Sequence, residues 1–288
     1  MSEITSGLIK KLAIGTVQFG LDYGISNQDG KTSFDVCRKI ISLSRDQGIN
    51  TLDTAFLYGD SEEIIGDLDI EGWQIISKFR KIEEGKTIRE YLKISLRRLK
   101  QSKLYAYIAH DANSLLSKPD TWFELQNLKE EGLISKTGFS LYNPEQLEHF
   151  FEEDMIPDLI QIPYNVLDRR FEYLFEEIKE RGIEIHTRSS FLQGLFFMKT
   201  ESLHPFFKDA IPEIVYLHKN FPSVKERASS LLSFVLTNPH TDKVVMGINN
   251  EIQLLNNIEG FLEFGNPPPE DLRITNEDIL LPNHWKLD

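Results

Sequence analysis

Asp53 and Tyr58 lie in the run Thr51-Leu52-Asp53-Thr54-Ala55-Phe56-Leu57-Tyr58-Gly59, Lys78 follows Ile76-Ser77, and His110 follows Tyr107-Ile108-Ala109. Together these four side chains suit the protonation of a carbonyl as it is reduced. When hydride reaches a carbonyl carbon, the oxygen becomes an alkoxide and needs a proton donor in place. A tyrosine hydroxyl, with a reference pKa of about 10, is a poor acid at neutral pH. An ammonium stabilises its anion and an aspartate holds the ammonium, so Lys78 and Asp53 are expected to lower the pKa of Tyr58. A histidine opposite can donate a hydrogen bond that orients and polarises the carbonyl. No side chain supplies hydride, so a cofactor must bring it. Taken singly, each residue has a plainer explanation: a lysine reaching solvent, a histidine in a wall, a tyrosine in a turn, an aspartate capping a helix. The combination carries the argument.

Such a set must be held by elements that end near one another. Short apolar runs alternate with amphipathic segments along most of the chain, giving eight candidate strands: Leu12–Gly20, Asn50–Ala55, Trp73–Phe79, Leu104–Asp111, Ser135–Tyr142, Asp158–Asn165, Glu184–Phe191 and Asp242–Asn249. Several are nearly continuous hydrophobic runs, as expected for parallel strands covered on both faces. The segments between them carry helix signals. Ser33 is placed to cap a helix with Val36, Cys37, Ile40 and Ile41 on its apolar face. Thr87 with Glu90, and Ser223 with Glu226, form capping boxes, and Asn143-Pro144 pairs an N-cap with proline at the first helical position. Phe171, Leu174, Phe175 and Ile178 make a buried helical stripe. Strands alternating with helices imply right-handed crossovers, and eight units closing on themselves give a (β/α)8 barrel, in which catalytic groups sit at the C-terminal mouth. An open doubly wound sheet would want G-x-G-x-x-G after the first strand, which Gly15, Gly20 and Gly24 do not supply.

The chain of 288 residues suits one barrel domain, spanning about 12–260 with a tail over 261–288. Acidic residues outnumber basic ones, 45 to 32, which argues against a nucleic-acid or anionic-membrane surface. The single cysteine, Cys37, excludes an internal disulfide. No secretory signal or membrane span is visible, so a soluble cytoplasmic protein is expected.

The quartet, with Leu12-Ala13-Ile14-Gly15-Thr16, Lys136-Thr137-Gly138-Phe139-Ser140, Gln161-Ile162-Pro163-Tyr164-Asn165 and Gly247 leading to Asn257, resembles the aldo-keto reductase superfamily over roughly residues 12–260. The resemblance implies that Tyr58 is the general acid, that Lys78 and Asp53 tune it and that His110 orients the carbonyl. It further implies an NADP(H) cofactor, with NAD(H) as alternative. Ser140 and Gln161 would hold the nicotinamide carboxamide, and Gly15 and Thr16 would border the cofactor. Ser189 and Gly194 would contact the pyrophosphate, while Gly247, Asn249, Gln253 and Asn257 would grip the adenosine half. No metal ligands are assigned.

Four departures bear on that shell. Leu141 stands where the family has asparagine. Arg188 occupies the position where an aromatic ring stacks on the nicotinamide, and a guanidinium can stack there or pair with an anion. Asn250 stands where NADP-preferring members carry a cation, which leaves Arg188 or Lys243 to replace it. The N-terminal hairpin that plugs the barrel floor is short or absent. Substrate choice is expected from Gln18–Asn27, from the excursion Thr200–Phe221 placed over the mouth, and from the tail with His284-Trp285. The polar Gln18, Asp22, Tyr23 and Asn27 with Arg188 suit a hydroxylated or anionic carbonyl such as a sugar derivative. Two other readings compete: a cofactor-holding barrel with a regulatory role and little turnover, and a Schiff-base aldolase using Lys78.

Overall fold

The structure, a computed structural model, describes residues 3–25, 27, 29–269, 271–285 and 287. Its eight strands are β1 (Leu12–Gly15), β2 (Thr51–Asp53), β3 (Gln74–Phe79), β4 (Leu104–Ala109), β5 (Ile134–Ser140), β6 (Leu159–Pro163), β7 (Glu184–Arg188) and β8 (Lys243–Gly247). They pair in parallel in sequence order, and β8 returns to β1 in the register Leu12↔Val244 to Gly15↔Gly247, closing a (β/α)8 barrel. Ile76, Ala106, Ile108 and Leu159 fill the interior. A much larger apolar layer lies between the strands and the surrounding helices, where Cys37, Ile40 and Ile41 of the helix Phe34–Asp46 are buried.

Each strand is shorter than the apolar runs predict, mostly at its C-terminal end. Beyond Gly15 the chain turns into a single helical turn, Val17–Gly20, and beyond Asp53 it enters the loop that carries Tyr58. These loops are held by close backbone approach. A Cβ on Gly20 would lie 1.8 Å from the Tyr58 carbonyl oxygen, and one on Gly59 would lie 2.4 Å from that of Gly20. Only glycine fits at either position, and Gly59 also needs its positive φ of 57°. The capping boxes Thr87/Glu90 and Ser223/Glu226 form, whereas the Ser33 side chain makes no cap hydrogen bond.

Among the described residues before β1 there is a helix, Glu3–Ile9, with Ile9 buried, and no hairpin. The Thr200–Phe221 excursion forms 3-10 turns and the helix Ile211–Asn220. It packs against the tail, the Phe207 and Trp285 rings meeting edge-on at 4.8 Å. No helix among the described residues is long and apolar enough to cross a membrane.

Candidate active site

Asp53 ends β2, Lys78 is the penultimate residue of β3 and His110 directly follows β4, so three successive strands deliver them to one end of the barrel. The Lys78 ammonium donates to Asp53 Oδ1 at 2.5 Å and to the Thr54 carbonyl at 3.2 Å. From across the barrel Gln161 Nε2 donates to Asp53 Oδ2 at 2.7 Å, so both carboxylate oxygens are engaged. Tyr58 comes from the loop after β2, pinned there by a buried hydroxyl network. Ser61 Oγ donates to the Thr16 carbonyl at 2.9 Å, and Thr16 Oγ1 donates to the Asp53 carbonyl at 3.0 Å. The Lys78 Nζ lies 5.1 Å from the Tyr58 ring centroid, and Tyr58 meets His110 edge-on with centroids 5.6 Å apart. The structure thus brings all four predicted catalytic residues together.

Their electrostatics differ from the expectation in one respect. Burial, and then the Asp53 carboxylate, push the Tyr58 hydroxyl well above its usual range, against the opposing pull of Arg188. The expected lowering is absent because burial and the Asp53 charge outweigh the charges that favour the anion. Lys78 itself is held below the usual lysine range, because burial outweighs the stabilising Asp53 charge. His110 is pushed down to about 3 by burial, with Lys78 and Arg188 adding to the effect. It is uncharged at neutral pH and therefore offers one N–H donor without the acidic second proton of an imidazolium.

A cavity of about 380 Å³ opens beside this cluster. Asp53, Tyr58 and His110 are on its wall, and Lys78 is not. A Schiff base on Lys78 is disfavoured for that reason: its side chain is 1% exposed and paired to Asp53. Of the residues matched to the cofactor, Gly15, Thr16, Ser140, Gln161 and Arg188 line the reactive end, and Ser189, Gly194, Gly247, Asn249 and Gln253 continue the wall. Asn257 does not line it; it is 5% exposed and its Nδ2 faces Met246 Sδ at 3.3 Å. Leu141 is fully buried, so no polar side chain replaces the missing asparagine. Lys243 begins β8 at the opposite end, donating to the Lys10 carbonyl at 2.9 Å, and cannot take the place of a cation at Asn250. Asn250 instead caps the helix Glu251–Phe264, its Oδ1 accepting from Gln253 N at 2.9 Å.

The wall has features that fit a polar, flat ligand such as a dinucleotide. Gln18 Oε1 and Ser190 Oγ are buried there without a hydrogen-bond partner among the described residues. A buried polar atom left unsatisfied is costly, which points to a partner from a ligand. Gly247 keeps the floor open, since a Cβ there would meet Gln18 Nε2 at 2.7 Å. Of the three regions expected to set specificity, only the first lines the cavity, through Gln18, Tyr23 and Asn27. That loop forms a strap: Gln193 Nε2 donates to Tyr23 Oη at 2.9 Å and Asn249 Nδ2 to Asn27 Oδ1 at 3.1 Å, tying β1, β7 and β8 loops together. Sequence reasoning missed Tyr142, Ser190 and Gln193. Their one available signal was position, just beyond the ends of β5 and β7.

Residues 11–273 match the model of the aldo/keto reductase family, and the chain belongs to that family. It is 26% identical to an uncharacterized oxidoreductase, YqkF, of Bacillus subtilis, over 97% of this chain and 98% of that one. Among solved structures it is similar to the holo form of the aldo-keto reductase AKR11C1 from Bacillus halodurans, with a TM-score of 0.71, 22% identity, and coverage of 94% of this chain and 90% of that one. That structural likeness speaks for the fold.

Proposed function

We propose that the chain is an NAD(P)H-dependent reductase of an aldehyde or ketone, with Tyr58 as general acid and His110 orienting the carbonyl. The observation that carries this reading is the arrangement of Asp53, Tyr58 and His110 on one cavity wall, with Lys78 buried behind it and paired to Asp53. A nicotinamide dinucleotide, when bound, supplies the hydride. Ser140, Ser189, Gly194, Asn249 and Gln253 are the residues best placed to hold it.

The raised pKa of Tyr58 fits this role. The phenol keeps its proton across the neutral range, and a developing alkoxide is a far stronger base than tyrosinate, so transfer to it runs downhill. The tyrosinate left behind has the Lys78 ammonium 5.1 Å from its ring centroid and feels the Arg188 charge, both of which favour the anion until solvent reprotonates it. The neutral His110 donates to the carbonyl oxygen without competing for that proton.

NAD(P)H consumption against an aldehyde panel tests the proposal. Tyr58→Phe is expected to lose about 10²- to 10⁴-fold in kcat/KM, the usual worth of a positioned proton donor, while nicotinamide binding stays within threefold. Wild type and variant equally inert with cofactor still bound would overturn it. Because Asn250 brings no charge, NADH and NADPH dissociation constants are expected to differ by less than the hundredfold that about 2.7 kcal/mol represents.

A further inference from the structure

We infer that Arg188 is a specificity determinant for substrates bearing a carboxylate, bound in the same cavity as Tyr58 and His110. The chemistry of this inference rests on the reductase reading; the binding of the anion does not.

Arg188 ends β7 and its side chain lines the cavity. Its guanidinium stacks over Tyr142 at 4.6 Å from the ring centroid. One terminal nitrogen donates to the Leu141 carbonyl at 3.1 Å and the other to Ser189 Oγ at 3.4 Å. Two of the five guanidinium N–H groups are thereby used, and the stack and these two bonds fix the plane of the fork. No carboxylate pairs with it among the described residues. Two other sheltered cations are paired with a carboxylate, Arg170 with Asp168 at 2.9 Å and Lys78 with Asp53; Arg227, which does not line the cavity, donates to the carbonyls of Phe221 and Pro222 at 3.2 and 3.1 Å.

The cavity wall carries no free negative charge. Asp53 is its one carboxylate, and that group is neutralised by Lys78 and bonded by Gln161. Arg188 is therefore an uncompensated, half-buried cation in a protein with 45 acidic and 32 basic residues. Its field reaches Tyr58, Lys78, His110 and Tyr23, which places it at the reactive end rather than beside Asn249 and Gln253. A pre-oriented guanidinium with free donors recognises a carboxylate by paired hydrogen bonds. An acid group so held leaves the carbonyl of the same molecule facing Tyr58 and His110.

Succinic semialdehyde and butyraldehyde, of equal chain length with and without the carboxylate, are the paired substrates, with wild type, Arg188→Gln and Arg188→Lys compared. Wild type is expected to prefer the acid, and Arg188→Gln to lower the ratio of the two kcat/KM values about hundredfold, chiefly through KM, as expected for loss of one member of a sheltered charge pair. Arg188→Lys retains the charge and is expected to fall between. Calorimetry with succinate reads binding alone and is expected to show at least tenfold weaker affinity in Arg188→Gln. An unchanged ratio together with unchanged succinate affinity overturns the inference. So does an NADPH or NADH affinity that falls as far as the succinate affinity, since the guanidinium would then serve the cofactor, by stacking on the nicotinamide or pairing with a phosphate. If wild type turns over neither aldehyde but succinate binding still depends on Arg188, the reductase reading fails and the carboxylate site stands.

Discussion

The barrel carries a lysine–carboxylate pair at each end: Lys78 with Asp53, buried at the mouth, and Lys136 with Glu184, half-buried at the floor. At the floor, Glu184 accepts from Tyr105 Oη at 2.9 Å, from Lys136 and from His186 at 3.3 Å. Burial pushes its carboxyl up, but the His186 and Lys136 hydrogen bonds outweigh that and hold it at about 2. The side chains of Lys136 and Glu184 remain 27% and 25% exposed, and neither borders the cavity. At the mouth, Lys78 and Asp53 are 1% and 3% exposed, and burial wins over the ion pair at the lysine. The same two functional groups make a self-contained brace at one end and the backing of a reactive wall at the other. The neighbours decide which: the floor pair is closed off by its own partners, whereas at the mouth Asp53 shares the cavity wall with a tyrosine and a histidine, and Lys78 lies behind it.

Breaking each pair should separate the two roles. Lys78→Met leaves Asp53 dry and uncompensated, which typically costs about 3–5 kcal/mol, and should lower kcat/KM by roughly 10³-fold or more. Urea denaturation and steady-state kinetics read the two losses. Glu184→Gln keeps the shape and some of the hydrogen bonds, so about 1–3 kcal/mol of stability should go while kcat/KM stays within threefold. An equal loss of activity in both variants would erase the distinction between brace and machinery.

Acid titration sharpens the contrast through the pH window in which each group acts. His110 has its folded pKa depressed to about 3 from 6.5, so its uncharged form supports the native state above pH 6.5 and that support is lost as pH falls toward 3. Glu184, depressed to about 2 from 4.5, contributes above pH 4.5 and is lost as pH falls toward 2. Unfolding free energies across this range should therefore flatten in their upper part for His110→Gln and in their lower part for Glu184→Gln. A single shared window for both variants would contradict the assignment of separate environments.

Much of this was legible from residue order, and the failures are specific. The barrel followed from eight apolar runs spaced by capped helices, and the quartet from its place at the ends of successive runs. Strand ends were overestimated because residues such as Phe19 and Leu141 are buried beyond the ladder, so their apolar character continues after the strand hydrogen bonds stop. The sign of the Tyr58 shift was not legible, because it is decided by how deeply the hydroxyl is buried and by the nearby Asp53 charge, neither of which residue order encodes. The strap was hidden for another reason: Tyr23 meets Gln193 across 170 positions, and no local pattern encodes that pair. Asn257 was misplaced because it shares the helix face of Gln253 but lies one turn, about 6 Å, further along the axis, beyond the cavity wall.

The loop that presents Arg188 runs through the left-handed region at Ser189, with φ of 64°, and again at Leu192 and Gln193. A non-glycine residue there carries a penalty of about 1–2 kcal/mol from its Cβ. Asn165 Nδ2, donating to the Ser189 carbonyl at 3.0 Å, helps hold the contorted backbone in place. Heat tolerance and selectivity therefore pull against each other at this one residue. A glycine would relax the chain, but it would also delete the hydroxyl that steadies the guanidinium, leaving a sturdier protein with a less discriminating grip.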